Sequence, residues 1–272
     1  MSHRAAHGLA VVTGASSGIG AGIARLLARR GQPVLAVARR DARLESLARE
    51  VEGGAPIHRL AVDVAESGAA ARVLAEARRL GGAAWLVNNA GYGMYGPFAT
   101  QPAERLGAMV RLNCEALVVL TRAFLDDLLR ADRGVVLNVA SLSGFQPTPY
   151  MSVYGATKAF VLSFSEALRE ELARTRVTVT AFCPGPVTTE FQDVAGMSAR
   201  LRAAPGTLTV EAAAKSAISA ADRGRAVVVP GRLQQAAAVA VQLFPRALVR
   251  RASRQVLRPR EEDDAPAPPW SR

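Results

Sequence analysis

Tyr154 and Lys158 stand four residues apart in the segment YGATK, a spacing that brings two side chains to the same face of a helix. A tyrosine phenol has an ordinary pKa of about 10 and gives up its proton slowly at neutral pH. Because a neighbouring ammonium group stabilises the phenolate, we expect Lys158 to lower the pKa of Tyr154 toward neutral pH. Lys158 is one of only two lysines among 34 basic residues, and its compact ammonium can bind sugar hydroxyls in geometries closed to a rigid arginine fork. The pair predicts a tyrosine that acts as a general acid.

Three glycines, Gly14, Gly18 and Gly20, lie in the segment LAVVTGASSGIG between an apolar run and an amphipathic stretch. Glycines allow a backbone to approach a pyrophosphate closely, and the helix N-terminus that follows offers free N–H groups and the positive end of a dipole. We therefore predict a dinucleotide site, and its other contacts in this loop should come from Ser16, Ser17 and Ile19. The alternative is a flexible turn without a ligand.

Arg39 and Arg40 directly follow the second predicted strand. A site specific for NAD usually has an acidic residue there, which accepts a hydrogen bond from the ribose 2′-hydroxyl. Two guanidinium groups instead suit a 2′-phosphate, because their planar forks pair with phosphate oxygens. We predict that the cofactor is NADP(H), with surface charge as the alternative explanation of the arginines. Asp41 is predicted to cap the next helix.

Short runs rich in Val and Ala alternate with amphipathic segments along most of the chain. This alternation is typical of a parallel sheet covered by helices on both faces. We predict seven strands, near residues 9–13, 33–38, 57–61, 84–88, 134–140, 176–182 and 226–229. Helices should occupy residues 18–30, 41–51, 66–79, 102–130, 152–174 and 209–222. The predicted fold class is α/β, a doubly wound seven-stranded parallel sheet whose ligands bind beyond the carboxyl ends of the strands.

The chain is predicted to have one catalytic domain, residues 1–230, followed by a basic helical extension, 231–258, and a disordered acidic and Pro-rich tail, 259–272. The net charge is +11, and nine arginines lie between Asp222 and Arg260. A helical projection of residues 243–258 separates five of these arginines, Arg246, Arg250, Arg251, Arg254 and Arg258, from an apolar side made of Leu248, Val249, Ala252 and Val256. Such a helix suits an anionic membrane surface, its own domain or a partner subunit. The apolar stretch before it, residues 233–244, is too short to span a bilayer.

Several other classes of site are not indicated. The two cysteines and three histidines show no metal-ligand spacing, so we expect neither a metal nor a disulfide. No nucleic-acid-binding motif accompanies the basic segment, and we expect no such partner. The eight residues before the first strand leave no room for a secretory signal, which predicts a cytoplasmic protein, peripheral to a membrane if the basic helix binds one. We expect a homodimer or homotetramer.

Seven motifs in order resemble the short-chain dehydrogenase/reductase family over about residues 9–230: TGASSGIG at 13–20, Asp63, NNAG at 88–91, Asn113, Ser141, Tyr154-x-x-x-Lys158 and PGPVTT at 184–189. The segments NNAGYGMYGPF and PGPVTTEF are similar to those of the branch that includes ketoacyl and hydroxysteroid reductases. The resemblance implies a Rossmann-type fold and hydride transfer between a nicotinamide cofactor and a carbonyl or alcohol.

The resemblance also implies roles for individual residues. Tyr154 would be the general acid, Ser141 would hold the carbonyl oxygen, Lys158 would bind the nicotinamide ribose, and Asn113 would anchor a water in the proton relay. Cofactor contacts would come from Asp63 and Val64 at the adenine, from Asn89, Ala90 and Gly91, and from Pro184, Gly185, Val187 and Thr189 near the carboxamide. The prediction is an NADPH-dependent carbonyl reductase. The alternatives are a catalytically idle dinucleotide-binding regulator and an NAD-dependent alcohol dehydrogenase working in the oxidative direction.

The segments that would surround the nicotinamide are mostly apolar. Candidate substrate contacts are Tyr92, Met94, Phe145, Met151 and Phe191, and Tyr95, Val194, Met197 and Leu201 are further apolar residues of the same segments. An apolar pocket with few polar groups suits a lipophilic carbonyl. The alternative is that several of these side chains only pack against one another.

Overall fold

The computed structural model describes residues 8–51, 53–202 and 206–259. The predicted tail therefore lies outside the described residues except for Pro259, and His3 and His7 lie outside them as well.

The predicted strands form one seven-stranded sheet in the order β3-β2-β1-β4-β5-β6-β7, and all neighbouring pairs are parallel. The strands are β1 (Leu9–Thr13), β2 (Val34–Ala38), β3 (Ile57–Ala61), β4 (Ala83–Asn88), β5 (Gly134–Val139), β6 (Val177–Phe182) and β7 (Val227–Val228). This confirms the predicted doubly wound α/β fold. The strand order reverses between β1 and β4, and such a reversal opens a crevice at the carboxyl ends of the strands.

The connecting helices follow the predicted segments. They are α1 (Gly18–Arg29), α2 (Asp41–Arg49), α3 (Ala69–Arg79), α4 (Ala103–Val110), α5 (Ala116–Arg130), α6 (Ser152–Glu171), the short α7 (Phe191–Val194) and α8 (Ala199–Arg202), and α9 (Val210–Asp222). The single helix predicted over 102–130 is instead α4 and α5 joined by a π-helical turn, Arg111–Glu115. The prediction that Asp41 caps α2 is wrong. Arg40 holds the cap position, and the Asp41 carboxylate lies in the first turn and faces Arg59 at 3.4 Å.

Both faces of the central strands are buried, as expected of a parallel sheet between two layers of helices. Every residue of β1, β2, β4 and β5 is buried. On one face α1 and α9 contribute Ile23, Leu27 and Ile218 to the core. On the other face α3 and α5 contribute Val73 and Phe124. The helices thereby hold the carboxyl ends of the strands in fixed positions.

Two helices continue the chain after β7, α10 (Arg232–Leu243) and α11 (Arg246–Leu257). The carbonyls at the end of α11 are bound by residues of the loop after β4 and of α8, since the Tyr95 hydroxyl donates to Leu257 O at 2.9 Å and Arg200 donates to Val256 O at 3.0 Å. The extension therefore packs on the domain, one of the placements expected from its sequence. Among the described residues, no helix has both the length and the apolar character needed to cross a membrane.

Candidate active site

The loop between β1 and α1 is shaped by its glycines. Gly14 and Gly18 have φ values of 66° and 56°, in the left-handed region that favours glycine. A Cβ on Gly14 would also lie 2.8 Å from the Ala90 Cα, so the loop after β4 approaches too closely for any side chain. This close, glycine-lined cradle at the start of a helix fits a pyrophosphate.

Gly20 does not line the cleft, which differs from its prediction as a cofactor contact. A Cβ at Gly20 would lie 2.3 Å from the Asn89 Nδ2 and 2.5 Å from the Gly14 carbonyl oxygen. That same Nδ2 donates to Thr13 O at 2.9 Å and to Gly14 O at 3.2 Å. Gly20 therefore leaves space for the amide that ties the loop after β4 to the glycine loop.

One cleft of about 1170 Å³ runs along the carboxyl ends of the strands, from the glycine loop past Tyr154 to the C-terminal helices. All other predicted cofactor residues line it: Gly14, Ser16, Ser17, Gly18, Ile19, Arg39, Arg40, Asp63, Val64, Asn89, Ala90, Gly91, Tyr154, Lys158, Pro184, Gly185, Val187 and Thr189. The structure thus brings together segments from both halves of the chain. The residues fit a dinucleotide whose phosphates lie at the glycine loop.

The two arginines after β2 differ in their contacts. Arg40 donates to the Ser16 and Ser17 hydroxyls at 3.1 and 2.9 Å and to Glu190 Oε2 at 2.9 Å. The hydrogen bond that Arg40 donates to Glu190 lowers the pKa of the Glu190 carboxyl group. Arg39 is largely exposed and lies 3.6 Å from the Asp63 carboxylate. Arg40 is therefore tied to the glycine loop, whereas Arg39 lies beside Asp63 after β3, and both guanidinium groups line the cleft.

Tyr154, Lys158 and Ser141 line the same stretch of the cleft. The Tyr154 and Lys158 side chains are buried, and the Lys158 Nζ lies 5.8 Å from the centre of the phenol ring. Lys158 Nζ donates to the Val139 carbonyl at 2.7 Å, which fixes the ammonium at the end of β5. Ser141 lies two residues beyond the same strand, and its hydroxyl accepts from Ser143 N at 3.1 Å. One strand end thus positions the hydroxyl and the lysine beside the phenol.

The expected lowering of the Tyr154 pKa is wrong for this structure. Burial raises the pKa of Tyr154 to about 12, and the hydrogen bond with the Ser141 side chain offsets only part of that shift. Burial also lowers the pKa of Lys158 to about 8. Both shifts have the same cause, because a low-dielectric environment disfavours the charged form of each group. The phenol therefore keeps its proton at neutral pH.

Asn113 lies in the π-helical turn and is buried, but it does not line the cleft. Its Nδ2 donates to Tyr92 O and to Thr157 Oγ1, each at 3.0 Å, and its Oδ1 accepts from Tyr92 N at 3.2 Å. The amide therefore joins the loop after β4 to Thr157 of α6, three residues after Tyr154 and on the same side of that helix. Its predicted role as a water anchor stays a prediction.

Three of the five predicted substrate contacts, Tyr92, Met151 and Phe191, line the cleft. The Phe191 ring lies 5.2 Å from the Tyr154 ring, centre to centre. Met94 and Phe145 do not line the cleft, which corrects their prediction. Met94 packs in the cluster under the loop after β4, and Phe145 packs beside Val161 and Leu162 of α6. Val194, Met197 and Leu201 also face the cleft, and Tyr95 does not.

Two parts of the cleft were not predicted. The first is Glu190, the partner of Arg40, whose sequence signal is no more than its place directly after PGPVTT. The second is the side of the cleft formed by α10 and α11, including Phe244, Leu248 and Val249. The apolar side of α11 is visible in the sequence, but periodicity alone does not say which surface it meets. In the described parts of the chain, no group of three or more His, Cys, Asp or Glu side chains could hold a metal ion.

Many known proteins are similar in sequence to this chain. A family model described as short chain dehydrogenase matches residues 8–198. A sulfoacetaldehyde reductase from Chromohalobacter salexigens is 39% identical over 184 residues, which make up 66% of this chain and 72% of that protein.

Two solved structures show the same architecture. A short-chain dehydrogenase from Sphingobium yanoikuyae in complex with NADPH has 33% identity and a TM-score of 0.77, covering 88% of this chain and 97% of its own. A 3-ketoacyl-(acyl-carrier-protein) reductase from Brucella melitensis complexed with NADH has 27% identity and a TM-score of 0.75, covering 83% and 98%.

Proposed function

The chain belongs to the short-chain dehydrogenase family of oxidoreductases, and from this premise we propose that it is an NADPH-dependent reductase of a lipophilic ketone or aldehyde. The observation that supports this most directly is the shared cleft. The phenol of Tyr154, the hydroxyl of Ser141 and the ammonium of Lys158 line it together with the glycine loop and Arg40. A proton donor therefore lies in the same cleft as a cradle for a dinucleotide.

The proposed cofactor is NADP(H), held by the glycine loop, by the loop after β4 and by the segment after β6. When bound, it supplies the hydride that reduces the carbonyl carbon. Arg39 and Arg40 support the phosphorylated cofactor, because the two residues that directly follow β2, where an NAD-specific site usually has an acidic residue, are both arginines that line the cleft. The Sphingobium neighbour was solved with NADPH and the Brucella neighbour with NADH, so the arginines are the stronger argument.

The proposed role of Tyr154 is to donate the phenolic proton to the carbonyl oxygen as that oxygen gains negative charge. Its raised pKa, about 12, keeps the phenol protonated and ready at neutral pH. The Ser141 hydroxyl would donate a hydrogen bond to the same oxygen. Once the phenolate has formed, the Lys158 ammonium would stabilise it across the measured 5.8 Å between Nζ and ring centre.

Replacement of Tyr154 by Phe tests this proposal. The variant keeps the ring and its contact with Phe191 but removes the proton, so reduction of ketones and aldehydes by NADPH should fall at least about 100-fold. The affinity for NADPH, measured by fluorescence titration, should stay close to that of the unaltered protein. Tyr150→Phe is the matched control, because Tyr150 lies four residues earlier and does not line the cleft. Retention of most activity by Tyr154→Phe would refute the assignment.

Two other functions remain testable alternatives. A catalytically idle regulator would bind NADPH without oxidising it in the presence of any carbonyl in a broad panel. An NAD-dependent alcohol dehydrogenase would oxidise alcohols with NAD⁺ faster than with NADP⁺. The buried Tyr154 and Lys158 argue against the first, and the two arginines argue against the second.

The basic extension, residues 231–258, supports a further proposal about the surfaces that the protein contacts. Val249 and Ser253 of α11 are buried against the domain, while Arg250, Arg251 and Arg254 are exposed. We propose that residues 231–258 are an extension of a catalytic domain, 1–230, and that the exposed arginines make salt-sensitive contact with anionic membrane surfaces. A homodimer or homotetramer remains a proposal that light scattering tests.

A further inference from the structure

The cleft has a second wall beyond Tyr154, made by α10 and α11. Residues from both helices face the cleft, among them Val241, Phe244, Leu248, Val249 and Val256. The side chains of this wall are apolar except for the buried Ser253. The family model ends at residue 198, so the wall lies outside the part of the chain that the model describes.

The wall has one buried row and one open row. Val249 and Ser253, one helical turn apart, are buried and seat α11 on the domain. Leu248 and Val256 also line the cleft, yet they are 52% and 59% exposed. Large aliphatic side chains left open inside a cleft suit an apolar occupant, because its binding removes them from water.

The charges of α11 point away from this wall. The exposed arginines Arg250, Arg251 and Arg254 are absent from the lining of the cleft. The occupant of this part of the cleft therefore meets no cation from α11. An anionic or strongly polar substrate group would find no partner there, whereas a hydrocarbon group would.

The wall is also fixed in place. The Tyr95 hydroxyl donates to Leu257 O at 2.9 Å, and Arg200 donates to Val256 O at 3.0 Å and to Arg258 O at 3.2 Å. At the start of α10, Gln234 donates to Gly206 O at 2.7 Å and Gln235 donates to Val229 O at 2.9 Å. The end of α11 is thus attached to the loop after β4 and to α8, and the start of α10 is attached to the backbone at Gly206 and Val229, which makes the wall a defined surface.

We propose that α10 and α11 bind the alkyl chain of an extended substrate whose carbonyl group lies at Tyr154. This inference rests on the proposed reductase function and names its substrate class, a ketone or aldehyde on a long unbranched chain. The open row of Leu248 and Val256 contacts the chain, and specificity for chain length comes from the C-terminal helices.

A homologous series of 2-alkanones, from 2-butanone to 2-dodecanone, tests the proposal with the full-length protein and NADPH. We expect kcat/KM to rise with chain length by up to about fourfold for each methylene group buried against the wall. In the double variant Leu248→Gln with Val256→Gln, the ratio of kcat/KM for 2-dodecanone to that for 2-butanone should fall at least about tenfold. Leu243→Gln is the matched control, because Leu243 is a leucine of α10 that is even more exposed, at 79%, and does not line the cleft.

Calorimetric titration of the same ketones into the Tyr154→Phe variant separates this inference from the proposed function. An affinity for ketones that rises with chain length supports the binding of the alkyl chain by α10 and α11, provided that the added Leu248→Gln and Val256→Gln substitutions remove this rise. This result would support the inference even if no ketone is reduced. If the short ketones are reduced and kcat/KM does not depend on chain length, the binding of an alkyl chain by α10 and α11 is refuted, while the proposed reductase function stands. Equal affinities for 2-butanone and 2-dodecanone in the titration would refute that binding as well.

Discussion

Removal of the guanidinium groups of Arg39 and Arg40 should change the choice between NADPH and NADH. Each group that contacts the 2′-phosphate makes a charge-assisted hydrogen bond, which contributes roughly 1.5–3 kcal/mol. Two such contacts therefore represent roughly 3–6 kcal/mol before any competing interaction is considered. NADH has no 2′-phosphate and gains nothing from either.

Both arginines already pair with acidic residues, and the loss of these pairs reduces the binding free energy that the 2′-phosphate gains. Arg40 donates to Glu190 at 2.9 Å and Arg39 lies 3.6 Å from Asp63, with side-chain exposures of 47% and 75%. Pairs this exposed are worth about 0.2–1 kcal/mol each, because solvent screens them. Subtracting roughly 0.4–2 kcal/mol for both pairs leaves about 3 kcal/mol of preference for the phosphorylated cofactor. A loss of that size weakens binding by about 100-fold.

The assay is fluorescence titration of both cofactors into the variant Arg39→Ala with Arg40→Ala. The Kd for NADPH should rise about 100-fold, and the Kd for NADH should rise no more than about fivefold, the effect of losing an exposed ion pair. Arg43→Ala serves as a control, because Arg43 faces Glu190 at 3.4 Å but does not line the cleft. Equal losses for NADPH and NADH in the double variant would show that the arginines are surface charge without a phosphate partner.

Three further predictions follow from the site and its surroundings. Gly20→Ala places a methyl group 2.3 Å from the Asn89 amide, so the free energy of unfolding measured with denaturant should fall by about 1–3 kcal/mol. As a control, Gly107→Ala, on an open helix surface, should be neutral or stabilising. Because burial lowers the pKa of Lys158 to about 8, the unfolded chain binds more protons above that pH, and stability relative to Lys158→Met should rise from pH 8 to 10; a flat difference would contradict the shift. Anionic vesicles should sediment the protein at low salt and release it at high salt, while neutral vesicles, or glutamine in place of the exposed α11 arginines, should abolish sedimentation.

Most of the fold follows from local patterns in the sequence. Apolar runs such as LAVVT and VLAVA are strands because their residues are buried on both faces, and this pattern requires no knowledge of the partners. The spacing of Tyr154 and Lys158 places both side chains on one face of α6, since helical geometry is local. Boundaries moved by one to three residues at most strands and helices, as at the start of α3, where Ala69 replaces the predicted residue 66.

Several errors arose where distant residues decide the outcome. The pKa of Tyr154 is raised because burial outweighs the lysine, and the depth of burial depends on the whole cleft rather than on the spacing of two residues. Asp41 does not cap α2, because a charged partner on β3, Arg59, lies within reach of its carboxylate. Phe145 has the composition of a substrate contact but packs beside α6, and Met94 packs in the cluster that contains Tyr154 without lining the cleft. An apolar residue in a loop does not reveal which cavity it faces.

The amino-acid sequence by itself determined the order of strands and helices, the glycine loop and the Tyr154–Lys158 pair, because each depends on residues close together in the chain. Tertiary structure alone decided that Arg40 meets Glu190, 150 residues away, and that the apolar side of α11 lines the cleft beyond Tyr154. An amphipathic helix must cover its apolar side, but which surface covers it is set by the packing of the complete domain. Local motifs therefore predict the residues proposed for catalysis and cofactor binding, whereas the shape of the cleft depends on contacts between distant parts of the chain.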